Sequence, residues 1–160
     1  MKKIIFWFLL GGVAGTGFGF AVGIFVFPFI FQSDIVADEA IADTKAVVAT
    51  GTFIHANPSD PVHFGSGKVT VFADEVHLGK DFNVGPGPKY HVYLSKAAGI
   101  KRSADVKNAE YFDLGGLRAF KGSQNYAIPA SVNLKDFKSV VIWCEAFGVL
   151  ISPAMLDFNS

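Results

Sequence analysis

From Ile4 to Phe31 the chain carries no charged side chain: IIFWFLLGGVAGTGFGFAVGIFVFPFIF. A helix of such length would extend about 42 Å at 1.5 Å per residue, against a hydrocarbon core of about 30 Å. The run can cross a bilayer with tilt, or lay its last turn after Pro28 in the interface. A cleaved signal peptide is the competing reading, since Lys2 and Lys3 resemble its basic start and Ala40-Ile41-Ala42 offers small residues for cleavage. Signal peptides, however, have an apolar run of about 7–15 residues, roughly half of this one, which favours a retained anchor.

Lys2 and Lys3 precede the apolar run, whereas Asp34, Asp38, Glu39 and Asp43 come after it. The positive-inside bias therefore keeps the N-terminus in the cytoplasm and exports the chain beyond Gln32. The expectation is a single-pass membrane protein. Residues 1–31 form a transmembrane signal-anchor, 32–50 an acidic, alanine-rich stalk with a weakly helical pattern, and 51–160 an extracytoplasmic domain. Within the span, Gly11, Gly15, Gly19 and Gly23 repeat every fourth residue. On a helix they make a drifting stripe without side chains, where another backbone can approach closely. That favours self-association or docking to another membrane protein, although glycine is also common in transmembrane helices generally.

Beyond the span the chain is ordinary in composition. The positive mean hydropathy of the whole, +0.37, comes from averaging an oily segment with a soluble one. From residue 51 onward ten acidic residues balance eleven basic ones, so no strong field steers a charged partner. Nucleic-acid binding is disfavoured, because it requires a basic surface to replace phosphate counterions.

The exported part alternates short apolar runs with Gly, Pro, Asn and Asp. Thr50–His55, Lys68–Ala73, Val76–Leu78, Lys89–Leu94, Glu110–Phe112 and Asn125–Ile128 have strand-like composition. Ser139–Ser152 is the longest such run, with a bend or bulge expected at Gly148. Gly65-Ser66-Gly67, Gly85-Pro86-Gly87-Pro88 and Gly115-Gly116 read as turns. Only Ser103–Ala109 suggests a helix. The fold class expected is all-β, an antiparallel β-sandwich or barrel preceded by one transmembrane helix. Phe53, Phe64, Phe72, Phe82, Tyr90, Phe137 and Phe147 are expected in its core.

The chemical inventory is small: His55, His63, His77 and His91, with Cys144 and Met155. A lone cysteine forms no internal disulfide and no multi-cysteine metal site. A blue-copper centre needs two histidines and a cysteine, but no histidine follows Cys144, so no metal site is expected. CxxCH, the signature of covalent haem, is absent. A haem held by the Cys144 thiolate leaves no spacing to test, and neither does a Cys144–histidine nucleophilic pair. The bland reading of Cys144, within Val140-Val141-Ile142-Trp143-Cys144, is a small buried hydrophobe. No classical enzyme constellation is legible.

The order of short motifs resembles the DM-thirteen domain family, described as an electron-transfer domain. The carriers are Gly51-Thr52-Phe53, His63-Phe64-Gly65-Ser66-Gly67-Lys68-Val69, Asp81-Phe82 followed by Gly85-Pro86, and Tyr90-His91-Val92-Tyr93-Leu94-Ser95. Asp113-Leu114-Gly115-Gly116-Leu117, Gly122 to Pro129, Val140 to Phe147 and Pro153-Ala154-Met155-Leu156 complete the series. The resemblance covers about residues 51–156 and leaves out the anchor and stalk. It implies an all-β fold and a characteristic cysteine, matched here by Cys144, that acts as a bare redox thiol or a haem ligand. Cys144 and His63 are accordingly the cofactor-binding candidates, with haem the cofactor implied. The alternative is a non-catalytic extracytoplasmic binding module in which Cys144 is core filler. If Cys144 ionises, Glu145 beside it would disfavour the thiolate, but strand alternation points Glu145 and Trp143 away from it.

Overall fold

The computed structural model describes residues 2–30, 36–41 and 45–159, without the side chains of 27–30. Two compact units divide the chain, Met1–Ser33 and Asp34–Ser160. The first is one helix, α1 (Lys2–Ile30), whose stretch Lys2–Val26 is long and apolar enough to cross a membrane. A Cβ placed on Gly11, Gly15, Gly19 or Gly23 would meet nothing within 4 Å, so the glycine stripe is open.

The second unit is all-β, as the strand-like runs imply. Its strands are β1 (Val36–Asp38), β2 (Val47–Phe53), β3 (Gly65–Ser66), β4 (Lys68–Phe72), β5 (Glu75–Leu78) and β6 (Asn83–Val84). They continue with β7 (Tyr90–Ser95), β8 (Tyr111–Gly116), β9 (Lys121–Ala127), β10 (Ser139–Cys144) and β11 (Val149–Phe158). All belong to one sheet of 11 strands, in the order β3-β6-β9-β5-β4-β2-β11-β10-β7-β8, with β1 added beside β9. Every pairing is antiparallel except β1 with β9. The Tyr126 hydroxyl of β9 reaches back to the Gly116 carbonyl of β8 at 3.5 Å, so the sheet curls upon one core.

Two clusters of buried side chains explain why β10 is an unbroken apolar run. Val140, Ile142 and Cys144 face the main core with Phe82, Tyr90, Val92, Leu94 and Ile151. Val141 and Trp143 face the other way, into a smaller cluster with Tyr93, Ile100, Val106 and Leu150. The second cluster contains Val106 of the short helix α2 (Ser103–Lys107), so this central strand is buried on both faces.

Three expectations need correction. The run from Ser139 to Ser152 is a hairpin, not one bent strand. Gly148, at φ +61°, closes its turn and donates its N–H to the Cys144 carbonyl at 2.8 Å. The bulge lies between Ile142 and Trp143 instead. Phe147 sits on that turn and is 49% exposed, so it is not core.

The weakly helical pattern in residues 32–50 is not what the described part of that segment forms. Val36–Asp38 pair in parallel with Lys121–Ser123, and β2 begins at Val47. Glu39 next to β1 takes a bidentate ion pair from Arg118 (2.8 Å) and accepts from the Asn125 N–H at 2.8 Å. Local propensity lost to an available partner edge and a nearby cation. Ala42, part of the expected cleavage site, lies outside the described residues.

Candidate functional site

Strand alternation delivers Cys144 to the inner face at the last position of β10, paired with Tyr90 on one side and Val149 on the other. The side chain is 1% exposed. Its thiol donates to the Pro88 carbonyl at 3.2 Å. The S–H is thereby committed to a backbone carbonyl. The cover over the thiol is the Gly85-Pro86-Gly87-Pro88 loop. Gly87 is required there, because a Cβ would come within 2.2 Å of the Tyr90 hydroxyl oxygen. Burial holds that hydroxyl above its ordinary range, with smaller contributions from Cys144 and Asp60.

The same loop touches the segment that carries His63. Gly85 donates its N–H to the Phe64 carbonyl at 3.2 Å, and a Cβ on it would strike the Val62 carbonyl. His63 itself is held from below. Its Nδ1 donates to Asp60 Oδ2 at 2.6 Å, while the Val62 and His63 N–H groups donate to Asp60 Oδ1 at 2.9 and 3.1 Å. His55 Nε2 donates to the Asp60 carbonyl at 2.7 Å. The hydrogen bond from the His63 ring, helped by the two backbone donors, draws the Asp60 carboxyl down to about 2. The pair lines a hollow of about 270 Å³ together with Lys101, Arg102, Ser103 and the Val149–Ile151 stretch of β11.

On the opposite face of the sheet, Glu145 is the hub. It accepts from the Tyr93 hydroxyl at 3.0 Å and pairs with Lys89 at 2.9 Å and His91 Nε2 at 3.5 Å. His91 Nδ1 takes Asp113 at 2.9 Å. The Lys89 ammonium, and then the Tyr93 hydroxyl, keep the Glu145 carboxyl below its ordinary range. Ligand atoms from His91, Asp113 and Glu145, one from each, lie within 4.8 Å of one another. This grouping suits a divalent cation by donor type, but Lys89 already occupies the Glu145 carboxylate. Stacked rings flank the hub, Tyr93 on Tyr111 at 4.5 Å and Tyr93 on Trp143 at 6.4 Å.

The two residues singled out from the sequence are therefore neighbours of one loop but do not meet. Cys144 hydrogen-bonds to the loop, whereas His63 turns to Asp60. The remaining histidines are engaged elsewhere, His77 with Asn125 at 2.5 Å and His91 with its carboxylates. No histidine is seen to activate Cys144 among the described residues. Glu145 does point away from the thiol, as strand alternation requires.

A family model described as Electron transfer DM13 matches residues 58–156. The chain belongs to that family. No curated protein and no solved structure matches it. Membership in the DM13 electron-transfer family suggests a redox role for the sheet domain that follows α1.

A haem ligated by Cys144 does not fit these surroundings. The thiol is spent on Pro88 and buried under packed residues, and it lines neither the hollow at His63 nor those at Ile100 and Phe137. Sequence reasoning missed Asp60 and the His91–Asp113–Glu145 group. Asp60 had a local signal, three residues before His63. The latter group had none, since its members come from β7, β8 and the β10–β11 turn.

Proposed function

We propose that this DM13 chain is a membrane-tethered, extracytoplasmic electron-transfer domain whose redox group is the Cys144 thiol, hydrogen-bonded to the 85–88 loop. The carrying observation is the place of the thiol: at the end of β10 it donates to the Pro88 carbonyl of a Gly-Pro-Gly-Pro loop at 3.2 Å. When the loop lifts, Cys144 loses its proton and the thiolate attacks a disulfide in an exported partner. The Cys144–partner S–S bond forms as the partner's own S–S bond breaks and its other sulfur leaves as thiolate; a thiolate of a second exported protein then attacks the partner's sulfur in the mixed disulfide and releases Cys144 as thiolate. The apolar helix supports tethering, and Lys2 and Lys3 support an inward N-terminus. The open stripe of Gly11, Gly15, Gly19 and Gly23 supports association with a second copy or another membrane protein.

The test is thiol chemistry on the folded full chain. Native Cys144 should trap a disulfide probe as a mixed disulfide, and Cys144→Ser should abolish trapping while retaining the fold. Added haemin should keep the spectrum of free haemin, and a shifted Soret band that is lost in Cys144→Ser would overturn the bare-thiol reading. One observation favours a second reading: at 1% exposure Cys144 also suits a structural filler in a binding module. Trapping that requires global unfolding would select that reading.

A further inference from the structure

Lys101 borders two hollows. The first, about 270 Å³, contains the Asp60–His63 pair and Arg102 over a floor from β11. The second, about 180 Å³, is apolar and lined by Ile54, Ile100, Pro153 and Met155. Lys101 lines both. We propose that these two hollows, which share Lys101, bind an amphiphilic organic monoanion, a carboxylate on an apolar body, independently of any redox chemistry at Cys144. Lys101 takes the carboxylate, and Ile54, Pro153 and Met155 take the body.

Three observations carry this assignment. The first is charge. The one acidic residue lining the first hollow, Asp60, is satisfied within its own turn by three N–H donors. Arg102 is held by Asp105 at 3.2 Å, whereas the Lys101 ammonium has no counter-ion among the described residues. A cation beside apolar surface attracts an anion more strongly than one wholly surrounded by water does.

The second observation is exposure. Ile54 and Met155 are 52% and 55% exposed, although both flank the ladder that joins the strands of the sheet. Large apolar side chains grouped beside a cation mark a surface built to be covered. The third is size. Ligand pockets run from about 300 to 1,000 Å³, so these hollows suit a ligand smaller than a typical drug. A large acidic polymer would find only one unpaired cation here.

The test uses the full chain in neutral lipid nanodiscs and 4-fluorobenzoate as probe, read by fluorine NMR line broadening. Saturable broadening is expected. It should weaken about tenfold in Lys101→Ala, the loss of one charge-assisted contact. Met155→Glu should weaken it as well, by placing a carboxylate where the body rests. Both positions are exposed, and an unchanged amide spectrum confirms folding in each variant. The neutral 4-fluorobenzyl alcohol should show no saturable binding, and acetate should fail to displace the probe. The proposal is overturned if Lys101→Ala binds as the parent does, if the alcohol matches the acid, or if acetate competes equally. Broadening that stays linear with probe concentration, as bilayer partitioning gives, overturns it too.

Discussion

The Cys144 thiol and the Pro88 carbonyl lie 3.2 Å apart, a contact that ties the end of β10 to the loop at residues 85–88. The loop carrying Pro88 is also constrained by Gly87, whose missing Cβ makes room for the Tyr90 hydroxyl. Gly87→Ala must therefore push the loop off Tyr90, whose ring is fixed against Phe120 at 5.8 Å. Maleimide labelling of Cys144 in the folded state should accelerate on the order of tenfold, corresponding to about 1.4 kcal/mol of easier local opening. An unchanged labelling rate would show that the loop is not the barrier.

Acid should act through Asp60. Its carboxyl is drawn from 3.8 down to about 2 by the His63 ring and two backbone donors. A folded-state value below the unfolded one means that the stabilisation is complete above 3.8 and is lost as pH falls through about 2. Asp60→Asn removes the charge at every pH. The stability gap between parent and variant, from urea melts, should be constant above that window and shrink within it. A gap that stays constant down to pH 2 would place the stabilisation elsewhere.

Glu39 tests whether the segment before β2 is part of the fold. Glu39→Gln loses the bidentate Arg118 pair, and for a half-exposed ion pair the expected cost is about 1 kcal/mol in chemical denaturation. Arg118 is also stacked over the Tyr126 ring at 4.6 Å and donates to the Asn125 carbonyl at 2.7 Å. It should therefore stay in place, and Arg118→Ala should cost more than Glu39→Gln. Equal costs would mean that only the ion pair matters.

A harsher change is Gly122→Ala. Gly122 has φ +86°, and a Cβ there would lie 2.1 Å from the Ala37 carbonyl oxygen. β1 must leave its place beside β9 for this side chain to fit. Hydrogen exchange at Glu39, whose N–H donates to the Ser123 carbonyl at 3.1 Å, should rise to that of an open amide. Retained protection would show that β1 can shift without detaching.

The parts of the fold legible in the sequence were those set by burial pattern. The apolar Val140–Cys144 run was legible as part of a strand, and so were Lys68–Phe72 and Tyr90–Leu94. The motif order from Gly51 to Leu156 pointed to the DM13 family. The strand at Val36–Asp38 was illegible because its pairing is set 85 residues away, at Lys121–Ser123. The hairpin turn at Glu145–Gly148 was hidden by apolar Ala146 and Phe147, which kept the run looking continuous. The site split the same way. His63 and Cys144 stood out as rare residue types, but the Asp60 beneath one and the loop carbonyl over the other depend on how distant backbone segments meet.

The short strand β1 has a further consequence for any shortened form of the protein. On one side β9 is hydrogen-bonded to β5 and β6; on the other, Val36–Asp38 occupy the donors and acceptors of Lys121–Ser123. A chain beginning at Lys45 would keep β2 but bare that row, and an unpaired strand edge is a template for another chain. Such a fragment should self-associate through β9 in sedimentation experiments, whereas one beginning just before Val36 should not. Three residues thus act as a selvage, keeping the woven edge of the sheet from catching on its neighbours.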